Sequence, residues 1–445
     1  MNALKFYLIL YVLILLGYIF RFGVFTIPGI FILLLSLLLW WMFYLKPKLF
    51  KFSIDPYLLS YIVLVISIAL SLYLLERTLL EPGIPNRPPN FLLIAQFIRT
   101  LLAISLIISI FLVFMRRKIL IIVCLILFCL LTKILIIIAS PNPQIDVYDF
   151  VMLGTKGLMN GVNPYSLVYT QMYVGVKPDY FSYGPGIFFF TIPFKVLGLD
   201  HRFSFVTTEL ATSIILLGQA IKIKKGGGSI LLLPLIFLFN PITLYINLRG
   251  WIDPSIIFLF LLSILAFTSK NKVIAMFLLG IAISIKQTMI FAPLFFYKIY
   301  QKKFLLVAFI VSTLIYLPFL IWGQKDFFHD LVYLLLYYPP IHVSLSVNSM
   351  FYFFFGKDIP QVFFLFIWIS TLFLILKKDN KDIGLIFPGM SLWFFTFYFF
   401  NKFTQVNYYY FFNGLIILCA YASVLGENKT YKNTKTRKTY QSKNG

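Results

Sequence analysis

Long apolar runs, separated by short polar or basic segments, recur from one end of the chain to the other. Many of these runs are about 20 residues long, which is the length that an α-helix needs to cross a bilayer. Strands of a transmembrane barrel would instead alternate apolar and polar positions over about ten residues. The pattern therefore predicts an all-α, polytopic helical membrane protein.

Clusters of Lys and Arg orient the predicted crossings, because cytoplasmic loops carry an excess of these residues. Arg116-Arg117-Lys118 and Lys377-Lys378 are two of the clusters expected in the cytoplasm. About 14 crossings of a cell membrane result, with both termini in the cytoplasm. They are residues 4–22, 24–45, 54–75, 91–115, 119–139, 203–221, 229–247, 254–268, 273–285, 288–300, 304–322, 361–376, 383–400 and 407–425. Residues 186–198 are too short for a comfortable span and are predicted to form an interfacial helix.

Composition excludes a soluble globular protein, because 61% of the residues are hydrophobic and only 12% are charged. The net charge of +23 is high enough for a nucleic-acid-binding protein, but the basic residues lie in short clusters between apolar runs. We therefore expect membrane lipid, and no nucleic acid, as a partner. The three cysteines lie inside apolar runs, so neither a disulfide framework nor a zinc site is predicted.

The acidic residues are few, and most are expected on the side away from the basic clusters. Only Asp55, Asp379, Asp382 and Glu427 are assigned to the cytoplasmic side. The remaining acids lie in or near external segments, and the sequence indicates that they stand at the ends of spans. A site that depends on carboxylates is therefore expected on the external face.

Asp146 and Asp149 lie near the start of the polar stretch from Ser140 to about Pro185, directly after a predicted span. Because they are three residues apart, they share one face if this segment is helical. In the functional interpretation one carboxylate is a general base toward a hydroxyl nucleophile, and the other orients it or binds a sugar. In the structural alternative Asp146 is a helix N-cap, with Asp149 at the third helical position.

Several short motifs follow the acid of the first external loop. In chain order these are Gly161-Val162-Asn163-Pro164-Tyr165, Tyr183-Gly184-Pro185, Asn240-Pro241, Gly250-Trp251-Ile252-Asp253, the segment from Gly280 to Lys286, Val347-Asn348-Ser349 and Gln405-Val406-Asn407. This ordered set resembles the GT-C superfamily of glycosyltransferases. The chain looks similar to the polyprenyl-phosphate-dependent mannosyltransferases of archaea and actinobacteria and to the catalytic subunit of GPI mannosyltransferase I. The resemblance covers residues 119–426. It leaves residues 1–118 as an N-terminal four-span extension and 427–445 as a basic cytoplasmic tail.

The resemblance implies roles for individual residues of this chain. Asp146 is implied as the catalytic base, with Asp149 as the runner-up. Charge that develops on the leaving phosphate calls for cations near the membrane surface, and Lys286 and Arg249 are the candidates to bind the donor phosphate. The alternative is that their side chains extend to the membrane interface. Substrate binding is assigned to Asp253, Asn163, Tyr165, Tyr183 and Gln405.

Asp253 and Lys133 lie near span ends, and a structural role can also explain each of them. Asp253 is about as well explained as the cap of the span that begins at Pro254. Lys133 lies about two turns inside its span, and we predict that its side chain extends to the interface.

The predicted function is transfer of a hexose, mannose by the resemblance, from a polyprenyl-phosphate or dolichyl-phosphate donor. The acceptor is a hydroxyl group of a lipid-linked glycan or another molecule on the extracytoplasmic side, and the stereochemistry is inverting. No cofactor is expected, with the need for a divalent metal left open. A flippase or transporter of lipid-linked saccharides is the alternative, and it predicts charged residues buried within spans. A polymerase or ligase of surface polysaccharide would more naturally have an Arg-rich external loop.

Overall fold

The computed structural model describes residues 1–79, 87–114, 118–169, 180–223, 228–297, 302–378, 382–402 and 404–441. Apart from one isolated antiparallel bridge between Val24 and Ser344, the regular structure in these ranges is helical. The α-helices are α1 (Asn2–Ile19), α2 (Ile27–Leu45), α3 (Pro56–Leu79), α4 (Phe91–Phe111), α5 (Lys118–Ala139), α6 (Asp146–Met159), α7 (Phe188–Val196), α8 (Arg202–Lys222), α9 (Gly228–Leu231), α10 (Leu233–Leu238), α11 (Thr243–Arg249), α12 (Asp253–Thr268), α13 (Lys272–Ile285), α14 (Lys302–Trp322), α15 (Gln324–Phe328), α16 (Leu334–Tyr337), α17 (Val347–Phe355), α18 (Gln361–Lys377), α19 (Ile383–Phe399) and α20 (Val406–Gln441).

Nine helical segments of the described chain are long and apolar enough to cross a membrane. They are Asn2–Ile19, Ile27–Leu45, Pro56–Leu79, Phe91–Phe111, Lys118–Ala139, Arg202–Lys222, Gly228–Arg249, Phe304–Trp322 and Val406–Gly426. Each coincides with a predicted crossing. The prediction of an all-α, multi-pass membrane protein is therefore confirmed.

The other predicted crossings correspond to shorter apolar helices, so the number 14 stays a prediction. These helices are Asp253–Thr268, Lys272–Ile285, Gln287–Phe296, Gln361–Lys377 and Ile383–Phe399. The Gln287–Phe296 segment is a 3₁₀-helix that contains Pro293, which cannot donate a backbone hydrogen bond. The predicted interfacial segment forms a 3₁₀ turn, Pro185–Ile187, followed by α7.

Several segments used to orient the crossings lie outside the described residues. Among them are residues 80–86 and 170–179 of two predicted external loops, and 116–117 and 224–225 of two basic clusters. The backbone of residues 427–441 continues α20, while 442–445 of the predicted tail are also outside the described part. The cytoplasmic location of both termini and the proposed boundary at residue 118 stay predictions.

The chain divides into two compact units, and the first comprises residues 1–63, 215–237 and 340–445. In this unit α1 packs against α2 and α20, and α19 packs against α20. Aromatic rings fill the contact between α1 and α2, where the rings of Phe6 and Phe43 stack with centroids 3.9 Å apart. Helix α2 begins after Thr26, whose side chain caps it by accepting a hydrogen bond from the backbone N–H of Gly29.

The second unit comprises residues 64–214 and 238–339, and it contains most of the predicted site residues. Helices α12 and α13 form a hairpin, and α13 also packs along α14. Gly280 permits that close approach, because a Cβ atom at this position would lie 2.7 Å from the backbone oxygen of Ala308. The Asn271 side chain caps α13 by accepting from the backbone N–H of Ile274. The hairpin thus brings the start of α12 and the end of α13 to the same end of the unit.

Candidate functional site

Several spans of the second unit begin or finish at one place, which we call the α6 end. Helices α5, α11 and α13 finish there, and α8 and α12 begin there. The guanidinium group of Arg202 joins two of these helices, donating to the backbone oxygens of Ser140 at 3.0 Å and Leu248 at 2.9 Å. Arg202 was not singled out from the sequence, because no motif surrounds it.

Gly250 ends α11 in the left-handed conformation, with φ of 77°. A Cβ atom there would lie 3.1 Å from Nε2 of His201 and 3.2 Å from Cγ of Arg202. Glycine is therefore needed for both the turn and the close packing. This explains the glycine of the Gly250-Trp251-Ile252-Asp253 motif by local structure.

Asp146 is the first residue of α6, and this position contradicts the capping interpretation. The N-cap is Ile145, and no side chain forms a capping hydrogen bond. The Oδ1 atom of Asp146 accepts instead from the backbone N–H of Val147 at 2.8 Å, and the N–H of Asp149 is bonded to the backbone oxygen of Ile145. Both carboxylates therefore occupy the first turn of α6, where the helix dipole favours negative charge.

Burial changes the proton affinity of both carboxylates. It raises the pKa of Asp146, an effect that the hydrogen bond from Val147 and the charge of Arg249 partly oppose. Burial also raises the pKa of Asp149 to about 6, and the nearby charge of Asp146 adds to this increase. A carboxylate with a pKa in this range accepts a proton near neutral pH more readily than an ordinary aspartate does.

The buried Arg249 side chain lies beside the segment that leads into α6. Its Nη1 atom donates to the backbone oxygen of Gln144 at 3.0 Å, and its guanidinium carbon is 5.4 Å from the ring centre of Tyr245. Because Arg249 is 5% exposed, the alternative that its side chain extends to the interface is wrong. The positive charge of Arg249 thus lies near the two carboxylates of α6, Asp146 and Asp149.

Tyrosine side chains stand next to the same acids. The pKa of Tyr338 is raised by burial and by the charge of Asp146, while a hydrogen bond with Tyr180 lowers it. The ring of Tyr180 also packs against Phe150 of α6, with centroids 5.2 Å apart. Tyr338 was not singled out from the sequence, because nothing there indicates its proximity to Asp146.

Lys286 and Asp253 form a buried ion pair. The ammonium nitrogen of Lys286 donates to Oδ1 of Asp253 at 3.0 Å, and Asp253 is fully buried. Helix α12 begins at Asp253 itself, with Ile252 at the N-cap position, so the capping alternative for Asp253 is wrong. Lys286 is only 7% exposed, so its extension to the interface is also wrong. The two residues are held together by the α12–α13 hairpin.

The Tyr183-Gly184-Pro185-Gly186 segment lies directly against the end of α13. The N–H of Gly184 donates to the backbone oxygen of Ile285 at 2.9 Å. A Cβ atom on Gly184 would overlap the backbone oxygen of Ser284, and one on Gly186 would overlap its Oγ atom. Both glycines are therefore required by packing next to Lys286.

Asn163 and Tyr165 support this segment, to which Tyr183 itself belongs. The Tyr165 hydroxyl donates to the backbone oxygen of Tyr183 at 2.9 Å, and Oδ1 of Asn163 accepts from the N–H of Tyr165 at 3.1 Å. Asn163 and Tyr165 are buried, so in this structure they act as scaffold for the loop. Gln405 is exposed and belongs to the first unit, and its predicted substrate contact stays a prediction.

A buried acid in the segment that follows α14, Asp330, was missed by the sequence analysis. The Oδ2 atom of Asp330 accepts from the backbone N–H of Phe181 at 2.7 Å, and its Oδ1 atom lies 2.9 Å from Nδ1 of His329. Burial raises the pKa of Asp330 to about 7, against the effect of these two hydrogen bonds. No motif surrounds Asp330 in the sequence that would have distinguished it from a solvated loop residue.

Lys133 does not extend to the interface, so that prediction is wrong. Its ammonium nitrogen lies 2.6 Å from Oε2 of Glu209 and 2.9 Å from the hydroxyl of Thr243. Glu209 also accepts from Thr243 and from Nδ2 of Asn247, the latter at 3.1 Å. Glu209 lies about two turns inside α8, so the expectation that external acids stand only at span ends is wrong for this residue.

Within the described ranges, no three His, Cys, Asp or Glu side chains are grouped closely enough to hold a metal ion. The expectation that no cofactor is needed stays a prediction. The chain was also compared with known proteins. No protein-family model, no curated protein and no solved structure matches it.

Proposed function

We propose that this protein is a membrane glycosyltransferase. It transfers a hexose, mannose by the sequence resemblance, from a polyprenyl-phosphate or dolichyl-phosphate donor to a hydroxyl group on the extracytoplasmic side. One observation carries the proposal: two carboxylates occupy the first turn of α6, a few residues after the span α5, beside the buried Arg249. The proposal includes a GT-C-like architecture of about 14 crossings with both termini in the cytoplasm.

The chemistry fits a single displacement at the anomeric carbon. Asp146 accepts the proton of the acceptor hydroxyl group as its oxygen forms a bond to the anomeric carbon. The bond from that carbon to the phosphate oxygen breaks, and the electron pair leaves with the phosphate. Because one displacement occurs, the configuration is inverted. Arg249 stabilises the charge that develops on the leaving phosphate.

The roles of the other site residues follow from their contacts. Asp149, whose pKa is raised by burial and by the charge of Asp146, is the alternative base. Lys286 is the second candidate for the donor phosphate, and its pairing with Asp253 supports a role in holding the α12–α13 hairpin as well. The lipid carrier suits this location, because it delivers the reacting carbon to the membrane surface where the spans end.

The first test uses membranes from cells that produce the protein, supplied with radiolabelled polyprenyl-phosphate mannose. Asp146→Asn is expected to lower transfer to the endogenous acceptor by at least about 100-fold, the usual size of a lost general base. Glu76→Gln is the matched control, since Glu76 is an exposed carboxylate paired with Arg99. Full activity of Asp146→Asn together with loss in Asp149→Asn would move the base to Asp149. Full activity of both variants would contradict the proposed site.

A second measurement identifies the product. The lipid-linked glycans of cells with and without the protein are compared by mass spectrometry. A glycan shortened by one hexose in its absence is expected, and it would identify both the sugar and its position. Unchanged glycans would contradict the transferase.

The buried Lys133–Glu209 pair favours one other candidate, a flippase or transporter of lipid-linked saccharides. Charged residues inside spans are costly and usually functional, and this pair lies in two candidate spans. Liposomes that contain the purified protein and a fluorescent lipid-linked saccharide distinguish the two candidates. Faster movement of the lipid between leaflets, without formation of a new glycosidic bond, would favour the flippase.

A further inference from the structure

A pocket of about 200 Å³ lies at the α6 end, between α6 and the segment that joins α7 to α8. The residues of its lining that matter here are Asn142, Tyr148, Thr155, Lys195, Asp200 and His201. Asp146 and Asp149 are not among the described residues that line it. The pocket is thus distinct from the candidate catalytic acids, although α6 contributes to both.

The only carboxylate among the described lining residues already has its hydrogen-bond partners. Oδ1 of Asp200 accepts from the backbone N–H and Nε of Arg202, at 2.8 and 3.0 Å. Oδ2 accepts from Nη2 of Arg202 at 2.7 Å and from the Tyr148 hydroxyl at 3.3 Å. Burial alone would raise the pKa of Asp200, but Arg202 holds it at about 2, so the carboxylate is ionised and its charge is balanced. It offers little capacity for binding further donors.

Apart from the unpartnered Nε2 atom of His201, the groups left over in the pocket are donors. Lys195 is half-buried and forms neither a hydrogen bond nor an ion pair within the described part of the chain. The Tyr148 hydroxyl shares its one hydrogen between Asp200 and Oδ1 of Asn142, the latter at 3.2 Å, which leaves the Nδ2 donors of the Asn142 amide for a ligand. Burial lowers the pKa of His201 to about 4, so this side chain is neutral at pH 7. The pocket therefore has one uncompensated positive charge and a surplus of donors, which favours an anion.

The surroundings of Lys195 indicate a lipid rather than a solute. Helix α5 finishes at Ala139 and α8 begins at Arg202, so the pocket lies within a few residues of two span ends. Phe189, Val196 and Leu197, on and directly after α7, are exposed large apolar side chains. A short helix with exposed apolar residues and a cation is typical of the membrane interface.

We propose that this pocket binds the phosphate group of an anionic membrane lipid, with the Lys195 ammonium group and the Asn142 amide as its donors. A volume of about 200 Å³ accommodates a phosphate with part of its head group. The Tyr148 ring, which lies under the Arg202 guanidinium group, forms one wall. The proposal does not depend on the glycosyltransferase activity, because the pocket excludes the acids on which that activity rests.

The test is a thermal-shift titration of the purified full chain in detergent, with phosphatidylglycerol and phosphatidylcholine of the same chain length. Phosphatidylglycerol is expected to raise the melting temperature more than phosphatidylcholine does. In Lys195→Met the apparent affinity for phosphatidylglycerol should fall about tenfold, the effect of losing one charge-assisted hydrogen bond. Lys156→Met is the matched control, because Lys156 is an exposed lysine of α6 outside the pocket.

A second variant, Asn142→Gly, removes the amide at a position where φ is 49°, a conformation that glycine adopts without strain. It should weaken binding while leaving the lipid-free melting temperature close to that of the wild type. An unchanged response of both variants to phosphatidylglycerol would overturn the proposal. A response to inorganic phosphate that equals the response to the lipid would overturn the lipid assignment and retain the anion site. Stabilisation by methyl α-mannoside alone would show a neutral sugar site and also overturn it.

Discussion

The ammonium nitrogen of Lys133 lies 2.6 Å from a carboxylate oxygen of Glu209, and each side chain is 1% exposed. The pair joins α5 to α8, and Thr243 and Asn247 connect it to α11. Because α11 finishes at Arg249, the pair also fixes the helix from which Arg249 reaches Gln144. The Lys133–Glu209 pair therefore supports the candidate site structurally.

Removal of one partner should be strongly destabilising, because an uncompensated charge would remain buried. Lys133→Met is expected to cost about 3–5 kcal/mol of folding free energy, seen as a lower melting temperature and a lower yield of monodisperse protein. The double variant Lys133→Met/Glu209→Gln should regain most of this loss, since the Gln amide oxygen can still accept from Thr243.

Arg99→Gln is the control, because Arg99 pairs with Glu76 at an exposed position. It should cost less than about 1 kcal/mol. If Lys133→Met were as stable as Arg99→Gln, the assignment of Lys133 to a buried pair would be wrong.

Gly184 and Gly186 both pack against Ser284, but the second substitution Ser284→Ala should restore stability to only one of their two alanine variants. Gly184→Ala and Gly186→Ala are both expected to lower the melting temperature, because each new Cβ atom overlaps an atom of Ser284. The Gly186 overlap is with the side chain, so Ser284→Ala should recover much of the stability of Gly186→Ala. The Gly184 overlap is with the backbone oxygen, which Ser284→Ala does not remove. Equal rescue of both variants would contradict the packing described here.

The sequence predicted the helical membrane architecture well, because long apolar runs have few other solutions. It also predicted that Asp146, Asp149, Arg249, Asp253 and Lys286 lie at span ends of one module, and the second unit brings them to its α6 end. Their partners could not be predicted. The pairing of Lys286 with Asp253 depends on the hairpin geometry of α12 and α13, which periodicity does not encode.

Other predictions failed for the same reason, namely that tertiary packing decides which groups surround a side chain. Lys133 was assigned to the interface because its distance from the span end permits that conformation, and only tertiary packing places Glu209 beside it. Asp146 was a plausible N-cap by residue type, but the helix begins one residue earlier than capping requires. Arg202 and Asp330 lacked any motif, since their importance comes from backbone groups that are distant in the sequence.

Under the proposed function, the rate of sugar transfer should depend on pH through the two acids of α6. Asp149 has a pKa of about 6, raised by burial and by Asp146. Burial also raises the pKa of Asp146, the proposed proton acceptor. The wild-type rate is therefore expected to fall as the pH is lowered through this raised pKa, because the base becomes protonated. The coupling between two acids is mutual, so Asp149→Asn should lower the pKa of Asp146 and move this decline to lower pH. The measurement is a pH–rate profile in membranes with saturating labelled donor.

Glu76→Gln again provides the control, and its profile should overlay that of the wild type. Loss of activity in Asp149→Asn at every pH would identify Asp149 as the base. A profile of Asp149→Asn that coincides with the wild type would show that the two acids do not interact.

Asp330 should make the stability of the protein dependent on pH. Its pKa is about 7 in the folded protein and about 4 in an unfolded chain. The folded state therefore favours the protonated form of Asp330. The resulting contribution to the free energy of unfolding is complete below about pH 4 and is lost as the pH rises through 7. The melting temperature of the wild type should fall between pH 5 and pH 8 by more than that of Asp330→Asn. His329→Gln keeps the acid, so its melting temperature should still fall between pH 5 and pH 8 by nearly as much as that of the wild type. If the melting temperature of His329→Gln no longer fell over this range, the effect would belong to the histidine.

The Lys286–Asp253 pair allows a structural role to be separated from a catalytic one. Either Lys286→Met or Asp253→Asn alone leaves a buried group without its charged partner, and each should cost about 3–5 kcal/mol. The double variant Lys286→Met/Asp253→Asn should regain a melting temperature close to that of the wild type, because no buried charge is left. If Lys286 stabilises the leaving phosphate, the refolded double variant should still transfer sugar about 100-fold more slowly, the usual effect of losing one stabilising donor. If it recovers activity together with stability, the pair only holds the α12–α13 hairpin, and Arg249 is then the cation on which phosphate departure depends.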